Sequence, residues 1–122
     1  MPETLALRVK RVYDTPAPTD GWRVLVDRLW PRGLSRERAQ VDFWAKDLAP
    51  STELRKWFGH DSSRFEQFSE QYTAELLANT DAVRSFCRSA AGRTVTLLYA
   101  TRSESCNHAL VLRNFLTKLS SC

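Results

Sequence analysis

Alternating apolar and polar positions near the N-terminus predict a β-strand. Leu5, Leu7 and Val9 alternate with small or charged residues, which is the period-two pattern of a strand with one polar face. We expect this strand to end near Tyr13, because the turn-forming segment 15–21 follows.

Two further segments have the composition of buried strands. Segment 22–27 has an unbroken Val-Leu-Val centre, which favours a strand buried on both faces, and Pro31 and Gly33 end regular structure after it. Segment 93–99 is rich in β-branched and apolar residues and predicts the last strand.

Helical spacing predicts helices in most of the rest of the chain. Segment 37–48 places its apolar residues mainly on one side and is predicted to be a helix that Pro50 ends. A short helix is predicted from Ser51 to Gly59. A later helix has the clearest amphipathic stripe in the chain, made of Phe65, Phe68, Tyr72 and Leu76.

Three polar residues mark predicted helix starts. Ser63 and Glu66 have the spacing of a capping box, and Asp81 and Asn107 are predicted to cap the last two helices.

The order strand, strand, helices, strand, helix is typical of the α/β class. We therefore predict one domain over residues 1–122, with a small, mostly parallel sheet of three or more strands flanked by helices. The link between the first two strands is short, so their antiparallel pairing is the alternative.

Composition and charge exclude several classes of protein. Among the 122 residues, 43% are hydrophobic and 26% are charged, as in ordinary globular proteins. No apolar run approaches the ~20 residues of a membrane span, and the first residues lack the apolar stretch of a signal peptide, so we expect a cytoplasmic protein with no membrane partner. The net charge of +4 is spread evenly along the chain, which does not favour nucleic acid as the partner.

Polar residues that follow the predicted strands form the candidate functional site. The carboxyl ends of parallel strands share one edge of a sheet, where open α/β sheets bind ligands. Here that edge would gather Tyr13, Asp27, Arg28, Arg32 and Tyr99. Arginines suit phosphate or carboxylate groups, and the helix start at Asn107 would add backbone donors for an anion.

Four of the candidates could transfer protons: Tyr13, Asp27, His60 and His108. Structural alternatives stay open for several of the site residues. Asp27 could form an ion pair with Arg28, Tyr13 and Tyr99 could be core aromatic residues, Asn107 could be only a helix cap, and His60 could be a surface turn residue. Cys106 lies where a helix start would activate a thiol, but the chain lacks the Cys-x5-Arg spacing of phosphatase-like loops.

Metal and cofactor signals are weak. His60 and His108 lie far apart in sequence, and Cys106 and His108 alone would be too few ligands for a structural zinc site. No dinucleotide, P-loop or serine-hydrolase motif is present, so we predict no cofactor and no metal.

Several motifs resemble the YeaO-like branch of the domain-of-unknown-function family 488. The most specific is Asp-Arg-Leu-Trp-Pro-Arg-Gly at 27–33, and further matches are 11–14, 48–58, 96–100 and the Asn107 segment. The resemblance implies a small domain without an established activity. It also implies that Tyr13, Arg28, Arg32, Asn107 and 49–51, which includes Ser51, form one site. The branch commonly has a histidine directly before the asparagine, whereas this chain has Cys106.

The leading hypothesis is a domain that binds an anionic, phosphorylated or nucleotide-like small molecule. Arg28, Arg32, Ser51, Tyr99 and Asn107 would bind it. If the domain is an enzyme, it would be a cofactor-independent hydrolase or transferase that uses acid–base chemistry. The alternatives are a nucleic-acid-associated module, in which Trp30 or Trp57 stacks on a base, and a protein-interaction module anchored by partly exposed tryptophans. The sequence leaves the oligomeric state open.

Overall fold

The strands form where the apolar patterns predict them, and a fourth, short strand joins them. The computed structural model describes residues 6–119, so Leu5 of the predicted first strand lies outside the described residues. In chain order the elements are β1 (Ala6–Arg11), β2 (Trp22–Leu25), α1 (Arg36–Ala39), β3 (Phe43–Trp44), α2 (Thr52–Phe58), α3 (Phe65–Ala78), α4 (Thr80–Ala90), β4 (Thr94–Tyr99) and α5 (His108–Lys118).

All four strands run parallel, in the order β1-β4-β2-β3. The predicted α/β class with a parallel sheet flanked by helices is therefore confirmed. The alternative antiparallel pairing of the first two strands is wrong, because β1 and β2 do not pair with each other. Each pairs with β4, on opposite sides, and the link 12–21 crosses from one side of β4 to the other.

A buried ion pair fixes the end of that link. Asp20 is 5% exposed and Arg23 is 4% exposed, and the Arg23 guanidinium donates to the Asp20 carboxylate. Lys10 also donates to this carboxylate, and the Thr96 hydroxyl donates to the Asp20 carbonyl oxygen over 2.7 Å. Gly21 follows at φ 67, where a Cβ atom would lie 2.3 Å from the Thr94 carbonyl oxygen, so only glycine fits.

The helix predicted for 37–48 is wrong. The chain makes only the short helix α1, turns at Gln40 in the left-handed conformation, and then forms β3 beside β2. Asp42 stabilises this path, because its backbone N–H donates to the Arg23 carbonyl oxygen over 2.8 Å and its carboxylate accepts from the Arg23 N–H over 2.9 Å. The apolar residues of 37–48 fit a strand followed by a turn as well as they fit a helix, and pairing with β2 satisfies their backbone groups.

The capping prediction is confirmed at Asn107, and Ser51, where the sequence predicts the start of a short helix, is also an N-cap residue. The Ser51 hydroxyl accepts from the Leu54 N–H at the start of α2, and the Asn107 side chain accepts from the Leu110 N–H at the start of α5.

The other two capping predictions are wrong. Ser63 lies in a 3-10 turn, where its N–H and hydroxyl both bond to the Asp61 carboxylate, and α3 begins only at Phe65. The helix α4 begins at Thr80 with Asn79 as its N-cap residue, so Asp81 belongs to its first turn.

The two faces of the sheet are covered unequally. The larger core lies between one face and the helices α2 to α5, and the predicted stripe contributes to it through the buried Phe68, Tyr72 and Leu76. On the other face, Leu25 and Leu98 pack with Ala39 of α1 and with the partly buried Trp30 and Trp44. Within residues 6–119, every helix is too short or too polar to cross a lipid bilayer.

Candidate functional site

A cleft of about 370 Å³ lies at the carboxyl ends of the strands. Because the sheet is parallel, the residues that follow β1, β2 and β4 reach the same edge, and the start of α5 lies beside them. The helix α2 adds a wall with Arg55 and Phe58. The lining residues are Tyr13, Asp27, Arg28, Pro31, Arg32, Pro50, Arg55, Phe58, His60, Phe68, Ala100, Thr101, Cys106, Asn107 and His108.

The cleft brings together the candidate residues predicted from the sequence, with two exceptions. Tyr13, Asp27, Arg28, Arg32, His60, Asn107 and His108 all line it. The exceptions are Ser51 and Tyr99.

Ser51 is committed to the packing of α2 on α3. Its N–H donates to one Glu75 carboxylate oxygen over 2.9 Å and its hydroxyl donates to the other over 2.6 Å, while the hydroxyl oxygen accepts from the Leu54 N–H. All the polar groups of the Ser51 side chain therefore have protein partners.

Tyr99 is a core residue. It is 4% exposed and packs in the larger core, and its carbonyl oxygen accepts from the Val12 N–H over 2.8 Å. Burial raises the pKa of the Tyr99 phenol, and nearby Glu104 raises it further, so the group stays neutral.

Arginines dominate the charge of the cleft. Arg28, Arg32 and Arg55 carry three positive charges, and Asp27 carries the one negative charge among the described lining residues, which leaves a net +2 when both histidines are neutral. The backbone holds Arg28, whose guanidinium donates to the carbonyl oxygens of Pro50 at 3.2 Å and Ala49 at 3.3 Å. Arg28 thus contacts the 49–51 segment through the backbone of that segment.

The guanidinium groups of Arg32 and Arg55 have no hydrogen bond or ion pair with any residue of the described chain 6–119. Arg32 lies in the exposed loop after β2, and Arg55 lies on the exposed face of α2. Two unpaired guanidinium groups at one cleft are suited to bind an anion, because each offers several N–H donors in a fixed plane.

Asp27 pairs with a histidine instead of with its neighbour Arg28. The Asp27 Oδ1 atom lies 2.9 Å from Nε2 of His108, and Oδ2 accepts from the Ala100 N–H over 3.1 Å. The same Nε2 lies 3.1 Å from the Val26 carbonyl oxygen. The ring N–H is directed better at that carbonyl, so Oδ1 is buried against the ring without a well-aligned hydrogen bond.

The 103–107 loop is organised by Asn107, which is 1% exposed. Its side-chain amide donates to the carbonyl oxygens of Ser103 and Glu104, and its oxygen caps α5. Asn107 is thus an N-cap residue, and its contribution to the cleft is the position of the start of α5. Cys106 is a half-buried free thiol in the cleft wall, with its N–H bonded to the Ser103 hydroxyl.

Tyr13 and His60 lie at the cleft rim, and because Tyr13 is 42% exposed, the alternative that it is a core aromatic residue is wrong. The Tyr13 hydroxyl donates to the Arg32 carbonyl oxygen over 2.9 Å, so it holds the loop that carries Arg32. His60 adopts a left-handed backbone conformation at φ 60, and its Nδ1 lies 3.4 Å from the Thr101 hydroxyl. The turn at 59–60 therefore folds over the strand ends, which the sequence could not establish.

Arg55 is the residue that sequence reasoning missed. Its place on a short polar helix is typical of a solvated arginine, and only the packing of Leu54 and Phe58 into the core aims α2 at the strand ends. Phe58 and Phe68, read from the sequence as core residues, also border the cleft and give it an apolar wall.

The cleft has no arrangement typical of a metal centre. Between residues 6 and 119, no three or more His, Cys, Asp or Glu side chains are grouped so that they could hold a metal ion. What the described residues offer is a cationic rim, an apolar wall and one Asp–His pair.

Comparison with known proteins places the chain in a family. Uncharacterized protein YeaO of Escherichia coli strain K12 is 42% identical over 113 residues, which cover 93% of this chain and 98% of the relative. Uncharacterized protein Mb3100c of Mycobacterium bovis and uncharacterized protein Rv3073c of Mycobacterium tuberculosis strain H37Rv are each 44% identical over 111 residues, or 90% of this chain and 92% of the relative. No protein of solved structure matches the chain. The family model described as the inactive DUF488-N3 subclade matches residues 6–121. The YeaO-like resemblance is thereby confirmed, and the chain belongs to the DUF488 family, within the subclade described as inactive DUF488-N3.

Proposed function

We propose that this protein binds a small anionic molecule, of the phosphorylated or nucleotide-like class, in the cleft at the carboxyl ends of its strands. The observation that carries the proposal is the pair of unpaired guanidinium groups, Arg32 and Arg55, that line one cleft. The volume of about 370 Å³ suits a small metabolite, since ligand sites commonly measure about 300–1,000 Å³.

Binding without catalysis fits the cleft better than turnover does. Two groups expected to act on a ligand have protein partners: the Tyr13 hydroxyl donates to the Arg32 carbonyl oxygen, and the Asn107 side chain caps α5. The description of the subclade as inactive points in the same direction. The Asp27–His108 pair is then a binding element of the cleft.

The two alternatives have weaker support. Trp30 and Trp44 are half-buried, and their indole N–H groups donate to the carbonyl oxygens of Leu34 and Asp27. Trp57 is half-buried beneath the Arg64 guanidinium. Rings held in this way are poorly placed to stack on bases or to anchor a partner protein.

A thermal-shift screen tests the proposal. Purified protein is heated with sulfate, inorganic phosphate, nucleotides, nucleosides and short oligonucleotides at matched ionic strength. A ligand at 100 times its Kd stabilises by about 2.7 kcal/mol, which raises the Tm by several degrees in a domain of this size. We expect this rise with phosphorylated compounds and its loss in Arg32→Ala and in Arg55→Ala.

The matched control is Arg84→Ala. Arg84 is an exposed arginine of α4 that lies outside the cleft and has no ion pair with residues 6–119. The Tm shift of the Arg84→Ala variant corrects for the general stabilisation that sulfate and phosphate give to most folded proteins. Equal Tm shifts in all three variants would refute the proposal. A shift with oligonucleotides alone, steeply reduced by salt, would favour the nucleic-acid alternative.

A further inference from the structure

We propose that the bound oxyanion contacts Nδ1 of His108 in its protonated form, so that ligand binding takes up one proton, and that the Val26 carbonyl oxygen and the Asp27 carboxylate, which both face Nε2, impose this requirement. The proposal rests on the proposed function and narrows it. It assigns the part of the cleft beside His108 to an oxygen that accepts a hydrogen bond, such as a phosphate or sulfate oxygen.

The surroundings of Nε2 determine where the ring carries its hydrogen. Two acceptors face this nitrogen, the Asp27 Oδ1 atom at 2.9 Å and the Val26 carbonyl oxygen at 3.1 Å. A lone pair on Nε2 would be repelled by both, so Nε2 carries a hydrogen whether the ring is neutral or charged. In the neutral ring the lone pair is therefore on Nδ1.

Nδ1 is the ring nitrogen left for a ligand. The ring lines the cleft with a side chain that is 16% exposed, and no residue of the described chain hydrogen-bonds to Nδ1. A lone pair there repels an anionic oxygen, whereas a protonated Nδ1 donates a charge-assisted hydrogen bond to it. Binding an oxyanion thus takes one proton from solvent onto Nδ1, and no other bond forms or breaks.

The charges around His108 make this proton uptake depend on the ligand. An anion bound to the arginines brings negative charge to the cleft, and this charge stabilises a protonated Nδ1 through a charge-assisted hydrogen bond. Tyr72 packs edge-on against the ring at 6.4 Å, and burial raises its pKa well above the ordinary value, so it stays neutral. The titratable and charged groups that face the ring or share its cleft are Tyr13 after β1, Asp27, Arg28 and Arg32 after β2, Arg55 and His60 at α2, Tyr72 on α3, and Cys106 before α5.

Isothermal titration calorimetry with sulfate tests this directly. Sulfate does not titrate near neutral pH, so a binding enthalpy that depends on the ionisation enthalpy of the buffer counts protons taken up by the protein alone. We expect binding, measured over a series of pH values, to take up as much as one proton per sulfate wherever the His108 ring of the free protein is neutral. Where the uptake is complete, the affinity should fall by about tenfold per pH unit.

The variants separate the roles of the two cleft histidines. His60→Ala, the control at the other cleft histidine, should keep the proton uptake, while His108→Gln should lose it. Should His108→Gln fail to fold, imidazole nitrogen shifts of the wild-type protein decide the point, because the neutral His108 ring must then show its hydrogen on Nε2.

Each contrary result has a distinct meaning. Sulfate binding without proton uptake at every pH of the series overturns this proposal and leaves the proposed function standing. Uptake that disappears in His60→Ala but persists in His108→Gln also overturns it. If neither sulfate nor phosphate binds, the proposed function fails and this proposal fails with it.

Discussion

The Tyr13 hydroxyl donates a hydrogen bond to the Arg32 carbonyl oxygen, 2.9 Å away, and so joins the end of β1 to the loop after β2. The bond ties two separate segments of the cleft rim together. It orients the backbone that carries one of the two unpaired guanidinium groups. A tyrosine that the sequence suggests as a proton donor is thus better explained as a support for Arg32.

Removing this hydroxyl should affect ligand binding more than stability. Tyr13→Phe keeps the ring beneath the Arg11 guanidinium but removes the hydrogen bond that holds the Arg32 loop. The loss of stability should be small, because a single exposed hydrogen bond contributes about 0.5–1.5 kcal/mol at most. We expect the Kd for sulfate to rise several-fold and the Tm to change by only a few degrees. Calorimetry and thermal unfolding measure the two effects, and an unchanged Kd would show that Tyr13 does not position Arg32.

Ser51 should behave as a structural residue. Ser51→Ala removes the N-cap of α2 and the hydroxyl bond to Glu75, so we expect a loss of about 1–2 kcal/mol in the free energy of unfolding. The Kd for sulfate, measured well below the Tm, should match that of the wild-type protein. Ser89→Ala, at an exposed position of α4, serves as the control. A Kd raised tenfold or more with unchanged stability would restore Ser51 as a ligand contact.

Asp20 should govern acid stability. Burial raises the pKa of Asp20, but hydrogen bonds from the Ala17 N–H, Lys10 and Arg23 outweigh burial, and the pKa is lowered below its ordinary value. A lowered carboxyl pKa in the folded state stabilises the protein above the unfolded-state pKa, which is about 4. This contribution is lost as the pH falls through the folded-state pKa.

Urea unfolding at a series of pH values checks this. Asp20→Asn should lower the free energy of unfolding by about 3 kcal/mol at neutral pH, because it leaves the buried Arg23 without its charge partner. The difference from wild type should shrink below about pH 4. Asp61→Asn, at an exposed carboxylate whose pKa is lowered by its bonds to Ser63, is the control with a much smaller effect. A difference that is constant with pH would contradict the role given to Asp20.

Local chemistry made much of the fold predictable. Alternation and β-branched runs located β1, β2 and β4, and the caps Ser51 and Asn107 located the starts of α2 and α5. The failure at 37–48 has a physical cause. Its apolar residues suit a strand or a helix equally well, and the deciding contacts come from Arg23, which is distant in sequence.

The candidate site was predictable wherever a residue directly follows a strand. Asp27 and Arg28 reach the cleft because parallel strands share an edge. The pairing of Asp27 with His108 depends on how α5 packs beside β2, and the place of Arg55 depends on how α2 packs on the core. Neither arrangement can be predicted from the spacing of residues along the sequence.

The most direct test of the central claim, anion binding between Arg32 and Arg55, is a sulfate titration followed by amide ¹H–¹⁵N NMR. We predict saturable shift changes that cluster in 28–32, 55–60 and 100–108 and that are lost in the Arg32→Ala, Arg55→Ala double variant. Arg84→Ala should keep them. Shift changes scattered over the surface, or a saturable set on α4 that is indifferent to the double variant, would contradict the claim.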